Sequence, residues 1–261
     1  MMRALLAESL RRNRVLAILA IAHFALFVIL APAAFIDATQ IQGISRWIKP
    51  MKFALSISIY LMTMAWVLSM LEGRRRAVAI LTSVIAFVMT VEMVLIMMQA
   101  ARGVRSHFNF ATPFDKLVFD VMGGMIFANT LAVVVVLILF LSQRGNVPPA
   151  ILSGIRLGLL IFIVASLVGG VIVQRGGHSV GAHDGGPGLP FVNWSTGGGD
   201  LRVAHFFGMH ALQALPLFGW FLDRKNVNGS RRWVQLAAAV LLLVTFALMA
   251  QALAGMPLLR F

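Results

Sequence analysis

The sequence predicts an all-α membrane protein, a polytopic helical bundle with seven transmembrane helices. The chain has 261 residues, of which 60% are hydrophobic. Its mean hydropathy of +0.90 is too high for a soluble domain. The apolar residues form continuous runs, whereas the strands of a membrane β-barrel alternate apolar and polar residues. Each run approaches the roughly 20 residues that a helix needs to cross a bilayer.

The apolar runs cover more than half of the chain and leave no room for a soluble domain. We therefore expect residues 1–261 to form a single transmembrane domain. The first run follows basic residues and reaches Ala31, in a segment that also resembles a signal-peptide cleavage site. Its length favours a transmembrane helix instead. The predicted spans are residues 15–35, 53–71, 77–100, 117–141, 151–173, 202–222 and 233–256.

Basic residues on alternate connections predict the orientation. Of the 22 Lys and Arg residues, 13 precede the first span or lie in or beside the connections between spans two and three, four and five, and six and seven. The positive-inside rule then places the N-terminus in the cytoplasm and the C-terminus outside. The net charge of +13 is explained by topology and by contact with the lipid bilayer, so nucleic acid is not expected as a partner.

The connection at residues 174–200 is long and rich in glycine, but it also carries His, Asp and Trp side chains. Glycine-rich linkers are flexible, whereas long loops inside compact domains are more often lids or binding loops. We expect an ordered external loop that folds over the mouth of the bundle.

Polar residues occupy one face on each of three predicted helices. Such faces turn away from lipid, so we expect the three faces to line one outward-facing cavity. They consist of Lys52, Ser56, Tyr60 and Thr63 on the second span, Glu92 and Gln99 on the third, and Arg202, His205, His210 and Gln213 on the sixth.

Glu92 is the strongest catalytic candidate, because a carboxylate among apolar neighbours in a membrane helix is costly unless it is paired or protonated. It could act as an acid/base, a proton relay or a ligand, or it could hold helices together through a hydrogen bond or ion pair. His107 and His210 are the other catalytic candidates, as proton shuttles or ligands. His23, in the middle of the first span, is expected to hydrogen bond to a neighbouring helix.

Four residues have donor atoms suited to a zinc-like divalent metal: His178, His183, Asp184 and His205. Their spacing matches no specific motif, and the loop donors could equally form turn and cap hydrogen bonds. The chain has no cysteine, which excludes thiolate ligands. A b-type haem with His23 and His210 as axial ligands is a further hypothesis.

A third set of residues is predicted to bind an anionic small molecule or a lipid headgroup, since Arg suits phosphate and carboxylate. The alternative is that the basic members reach toward lipid phosphates at the membrane surface. The set is Lys52, Gln99, Arg102, Arg105, Arg202 and Gln213.

Several segments resemble a family of bacterial multi-pass membrane proteins to which no activity is assigned. The segments are residues 47–53 (WIKPMKF), 99–109 (QAARGVRSHFN), 184–190 (DGGPGLP) and 199–213 (GDLRVAHFFGMHALQ). The resemblance implies a bacterial cytoplasmic membrane. The chain also shares helix number and histidine supply with zinc-dependent seven-helix ceramidase-like hydrolases, but it does not reproduce their ligand spacing.

These observations predict a membrane-embedded enzyme that acts on an anionic or lipid-like substrate, with or without the assistance of a metal ion. The main alternative is a proton-coupled transporter or a ligand-binding module for a small anion, and the second is a b-type haem redox protein.

Overall fold

A computed structural model describes residues 2–143 and 147–260, and the long apolar runs are helical in it. Among these residues, α2, α3, α4, α5, α6 and α9 are long and apolar enough to cross a membrane. Six predicted spans are thus confirmed as helices, and the fold is that of a helical multi-pass membrane protein. The helices are α1 (Met2–Arg12), α2 (Arg14–Ile36), α3 (Ile48–Ser69), α4 (Arg75–Ala101), α5 (Pro113–Leu141), α6 (Pro149–Arg175), α7 (Leu201–Met209), α8 (Ala211–Arg224) and α9 (Ser230–Leu253). The strands are β1 (Gln40–Ile41), β2 (Ile44–Ser45), β3 (Ser179–Val180) and β4 (Gly199–Asp200).

The predicted span at residues 202–222 is not one helix. It is divided into α7, with 9 residues, and α8, with 14 residues, on either side of His210. Pro216 lies inside α8, six residues after His210, and α8 continues through it. The carbonyl of His210 accepts hydrogen bonds from the amides of both Gln213 (3.1 Å) and Ala214 (2.9 Å). A seventh span in the form of a single long helix is therefore not confirmed.

α1 is a separate helix that the sequence analysis did not distinguish. The helical conformation is interrupted at Asn13, between α1 and α2, and Asn13 Nδ2 donates to Thr82 Oγ1 at 2.7 Å. Trp66 Nε1 on α3 donates to Ser9 Oγ at 2.9 Å, and the guanidinium of Arg12 lies 4.1 Å from the centre of the Trp66 ring. The two Trp66 contacts hold α1 against α3, and the Asn13 contact joins the junction of α1 and α2 to α4.

The chain divides into two compact units, Met1–Ala132 and Val133–Phe261. In the first, α2 packs along α3, and Ser58 Oγ donates to the carbonyl of Ala20 at 2.8 Å. In the second, α6 packs against α7, α8 and α9. A Cβ on Gly154 of α6 would lie 2.5 Å from the carbonyl oxygen of Leu215, so this close helix contact requires glycine.

The connection at residues 174–200 has defined structure in the second unit. β3 and β4 pair antiparallel, with Ser179 opposite Asp200. A Cβ on Gly199 would lie 1.9 Å from the carbonyl oxygen of Ala252, so the loop packs directly against the end of α9. Its position over the mouth of a bundle stays a prediction, as does the cavity shared by three polar faces, since those faces belong to both units.

Candidate functional site

Glu92 lies on α4 with its side chain almost completely buried. Its exposed fraction is 1%, and neither carboxylate oxygen has a hydrogen-bond partner among the described residues. The hydrogen-bonded helix contact that was the structural alternative is therefore not observed. Burying a polar group without a hydrogen bond costs about 1–3 kcal/mol, and more for a charged group, so Glu92 is a destabilising feature of the fold.

His107, in the connection between α4 and α5, faces Glu92. Its Nε2 lies 3.8 Å from Glu92 Oε1, which is longer than a hydrogen bond. On the other side of the ring, Lys49 Nζ lies 3.1 Å from His107 Nδ1. An ammonium group only donates, so Nδ1 accepts and the neutral ring carries its hydrogen on Nε2, toward Glu92. We call Lys49, His107 and Glu92 the Glu92 cluster.

Phenylalanine side chains enclose His107. The ring centres of Phe53, Phe108 and Phe119 lie 6.0, 6.4 and 6.2 Å from the imidazole centre. Burial in these surroundings, together with the positive charge of Lys49, lowers the pKa of His107 well below its ordinary value of 6.5. The His107 side chain is 25% exposed, so a neutral imidazole connects the buried Glu92 with the protein surface.

Asp115, at the start of α5, accepts hydrogen bonds from two of the predicted substrate-binding residues, Gln99 and Arg102. Asp115 is 2% exposed, and its Oδ1 accepts from Gln99 Nε2 at 3.0 Å and from Arg102 Nη1 at 2.6 Å. Its Oδ2 accepts from Thr112 Oγ1 at 2.7 Å. Arg102 also donates to Gln99 Oε1. The network joins α4 to α5, so a structural role accounts for both residues.

The face predicted on α3 is not a continuous buried polar surface. Ser56 is exposed, and Thr63 Oγ1 donates to the carbonyl of Ile59 in its own helix. Tyr60 is buried and donates to Asn129 Oδ1 on α5 at 2.9 Å. Only part of the predicted face therefore lies inside the first unit. Lys52 is half-buried there, and its substrate-binding role stays a prediction.

Two further arginines that were predicted to bind an anion, Arg105 and Arg202, have protein partners. In the orientation of the Gln42 amide that satisfies both groups, its oxygen accepts from Arg105 Nη2 at 2.8 Å. In the second unit, Arg202 Nη2 lies 2.6 Å from Asp200 Oδ2 and also donates to the carbonyl of Asn193. Arg202 thus closes the loop onto the start of α7, where Asp200 caps the helix.

The loop residues His178 and Asp184 form a structural contact. Asp184 accepts hydrogen bonds from the backbone amides of His178 (3.3 Å) and Ser179 (2.9 Å), and His178 Nδ1 lies 3.2 Å from Asp184 Oδ1. Burial raises the pKa of Asp184, but the hydrogen bonds from Ser179 and the charge of His178 outweigh it, so the pKa lies below its ordinary value of 3.8. These are the turn hydrogen bonds that were the alternative to metal binding.

The predicted metal ligands do not converge. His183 is exposed, and His205 Nδ1 lies 2.7 Å from the carbonyl oxygen of Ala165 on α6, in a helix–helix contact. A Cβ on Gly169 would lie 3.1 Å from the His205 ring, so a glycine makes room for it. In residues 2–143 and 147–260, no group of three or more His, Asp or Glu side chains could hold a metal ion. The set predicted from the sequence does not fit a zinc-like ion.

The two remaining histidines, His23 and His210, each form a hydrogen bond with the carbonyl group four residues earlier in the chain. His23 Nδ1 lies 2.7 Å from the carbonyl oxygen of Leu19, so the predicted bond to another helix is wrong. His210 Nδ1 lies 2.8 Å from the carbonyl oxygen of Phe206. The catalytic role of His210 and a haem between His23 and His210 stay predictions. Gln213 is half-buried, and its substrate-binding role is also a prediction.

Sequence reasoning missed the partners that decide these roles. Lys49 appears in the sequence only as one of several basic residues on external connections, because it contacts His107 only when the α4–α5 connection folds back onto α3. Asp115 appears in the sequence as an ordinary residue in the first turn of a helix. Its proximity to Gln99 could have been found by matching the last turn of α4 with the first turn of α5, since short connections bring such turns together.

Comparison of the chain with protein-family models, with curated proteins and with solved structures finds no match. The resemblance to a bacterial membrane-protein family transfers no site residue, so the Glu92 cluster rests on geometry.

Proposed function

We propose that this protein is a membrane-embedded enzyme in which Glu92 acts as the acid/base and His107 carries protons between Glu92 and the surface. One observation supports the proposal above all others. The Glu92 carboxyl group is buried to 1% exposure, and neither oxygen is hydrogen-bonded in the described ranges. A buried ionisable group that stabilises nothing is typical of functional sites in membrane helices.

The row of Lys49, His107 and Glu92 can carry one proton. Lys49 gives a proton to His107 Nδ1 across 3.1 Å, while His107 gives the hydrogen on Nε2 to the Glu92 carboxylate. The second transfer spans 3.8 Å, so it requires a small approach of the two side chains or a substrate group between them. The reverse sequence restores the resting state.

The substrate of the proposed enzyme is lipid-like and not a free small anion. Arg102 and Arg202, predicted to hold an anion, are neutralised by Asp115 and Asp200. Around His107, by contrast, the surroundings are aromatic. Such surroundings favour a substrate whose apolar part packs on rings while one polar group meets the imidazole.

Infrared spectroscopy tests the proton site without knowledge of the substrate. The protein in lipid nanodiscs should show a protonated-carboxyl band whose intensity changes between neutral and alkaline buffer, a range in which exposed carboxyl groups stay ionised. Glu92→Gln should remove the band, and His107→Phe should slow its appearance after a pH jump. Asp120→Asn, at an exposed acid paired with Lys116, is the control and should leave the band unchanged. Persistence of the band in Glu92→Gln would show that Glu92 exchanges no proton.

A proton-coupled transporter is the second candidate, since a buried carboxyl connected to the surface through one histidine also suits a coupling site. Proteoliposomes that enclose a pH-sensitive dye separate the two. Substrate-driven acidification of the lumen that is lost in Glu92→Gln would indicate a transporter. Turnover of lipid analogues in detergent, without proton flux in vesicles, would indicate the enzyme.

We further propose that α7, His210 and α8 together form a seventh span, with the N-terminus in the cytoplasm of a bacterial cell and the α4–α5 connection outside. The positive-inside pattern supports this orientation. The chain has no cysteine, so Ala111→Cys and Glu72→Cys, both at exposed positions, each carry a unique thiol. An impermeant thiol reagent added to intact cells should label Ala111→Cys only. Labelling of Glu72→Cys alone would reverse the topology.

A further inference from the structure

The surface where α1 meets α2 carries a groove that the proposed function does not use. It is lined by Leu10, Arg14, Ile18 and Ile21, and its volume is about 520 Å³. On α2, the spacing of four and three residues places Arg14, Ile18 and Ile21 on one face of the helix, and Leu10 adjoins them from α1. The groove is therefore an apolar track along α2 with a single cationic residue beside α1.

Arg14 is the unusual member of the groove. Arg11 and Arg12 both bind Glu8, with N···O distances of 2.8 Å, and Arg12 also donates to Ser69. Arg14 is exposed, and it forms no ion pair or hydrogen bond with the described part of the chain. Its guanidinium keeps its donors for a partner outside the protein, and the geometry of these donors suits a phosphate group.

The groove lies along a helix that is apolar enough to cross a membrane. α2 has a mean hydropathy of 2.6 over its most apolar window, and Ile18 and Ile21 are 48% and 39% exposed. An acyl chain of the bilayer therefore suits this surface. Charge complementarity with Arg14 selects a negatively charged headgroup, and the isoleucines below it select an acyl chain.

We propose that the Leu10–Ile21 groove is a binding site for one anionic phospholipid, with the phosphate on Arg14 and an acyl chain along Ile18 and Ile21. The proposal is independent of the Glu92 cluster. It differs from general attraction of basic residues to an anionic membrane because it requires both Arg14 and the apolar track.

Native mass spectrometry of the full-length protein tests this site. The detergent-solubilised chain is titrated with phosphatidylglycerol and, separately, with phosphatidylcholine that has the same acyl chains. Wild type should retain one phosphatidylglycerol with at least about tenfold preference, the factor expected for one charge-assisted contact. Arg14→Gln should lose about that factor. Ile18→Trp, which fills the groove but keeps the charge, should also weaken binding.

Arg11→Gln is the matched control, because it removes the same charge three residues earlier from a side chain that is 75% exposed and paired with Glu8. It should change the affinity less than about twofold, as exposed pairs contribute little. Equal losses in Arg11→Gln and Arg14→Gln would overturn the proposal in favour of diffuse charge attraction. Equal binding of both lipids, or an Ile18→Trp variant that binds like wild type, would overturn it as well.

Discussion

Replacing Glu92 by methionine should stabilise the protein and abolish its function. The carboxyl group is 1% exposed and its two oxygens have no hydrogen-bond partner among the described residues. Methionine has a similar length and no polar atom, so it relieves the desolvation penalty without leaving a large cavity. That penalty is about 1–3 kcal/mol for an unsatisfied buried group. The attraction to a neutral His107 at 3.8 Å is too weak to offset it.

The assay is reversible unfolding in mixed micelles of increasing denaturing-detergent content, followed by helix circular dichroism. Gln99→Met is the matched control, since Gln99 lies on the same helix two turns later, is 0% exposed and is hydrogen-bonded to Asp115. The two identical replacements should change the free energy of unfolding in opposite directions, up by about 1–3 kcal/mol for Glu92→Met and down by a similar amount for Gln99→Met. If Glu92→Met destabilises the protein as much as Gln99→Met does, Glu92 is a structural contact and the proposed site is refuted.

Three further predictions use the same unfolding measurement. Asp115→Asn should lower the free energy of unfolding by about 1–3 kcal/mol, because it weakens a charged network. We expect a value in the lower half of this range, since the Arg102 side chain is 38% exposed. An unchanged free energy of unfolding would show that the network contributes nothing to stability. Hydrogen bonds from neighbouring backbone and side chains hold the pKa of Asp37 below its ordinary value of 3.8, so its stabilisation is present above that pH and is lost as pH falls further. Asp37→Asn should therefore reduce the loss of unfolding free energy at acidic pH. An unchanged pH dependence would contradict a stabilising role of the Asp37 carboxylate. Gly158→Leu should destabilise by about 1–3 kcal/mol through overpacking, since a Cβ there would lie 2.9 Å from a backbone carbonyl, whereas Gly170→Ala, with nothing within 4 Å, is the control that should be tolerated.

Hydrophobic run length was sufficient to predict α2, α4, α6 and α9 within about three residues of their ends. The bilayer imposes a minimum apolar length and forces each backbone group to bond within its own helix, so these elements depend on local sequence alone. The same reasoning failed at residues 202–222, because a local turn at His210 divides the helix without altering its hydropathy. It also missed α1, whose charged residues hide it from a hydropathy count.

For the site, the sequence alone determined that Glu92 stands out, because a carboxylate in an apolar helix is unusual whatever surrounds it. Only the tertiary structure decided the partners. His107 reaches Glu92 and Lys49 through a loop that folds back, while Arg102 and His205 are held by Asp115 and by the carbonyl of Ala165. A side chain's chemistry follows from its type, but whether its donors are already used depends on residues 13 to 58 positions away. Those pairings arise only when the helices pack.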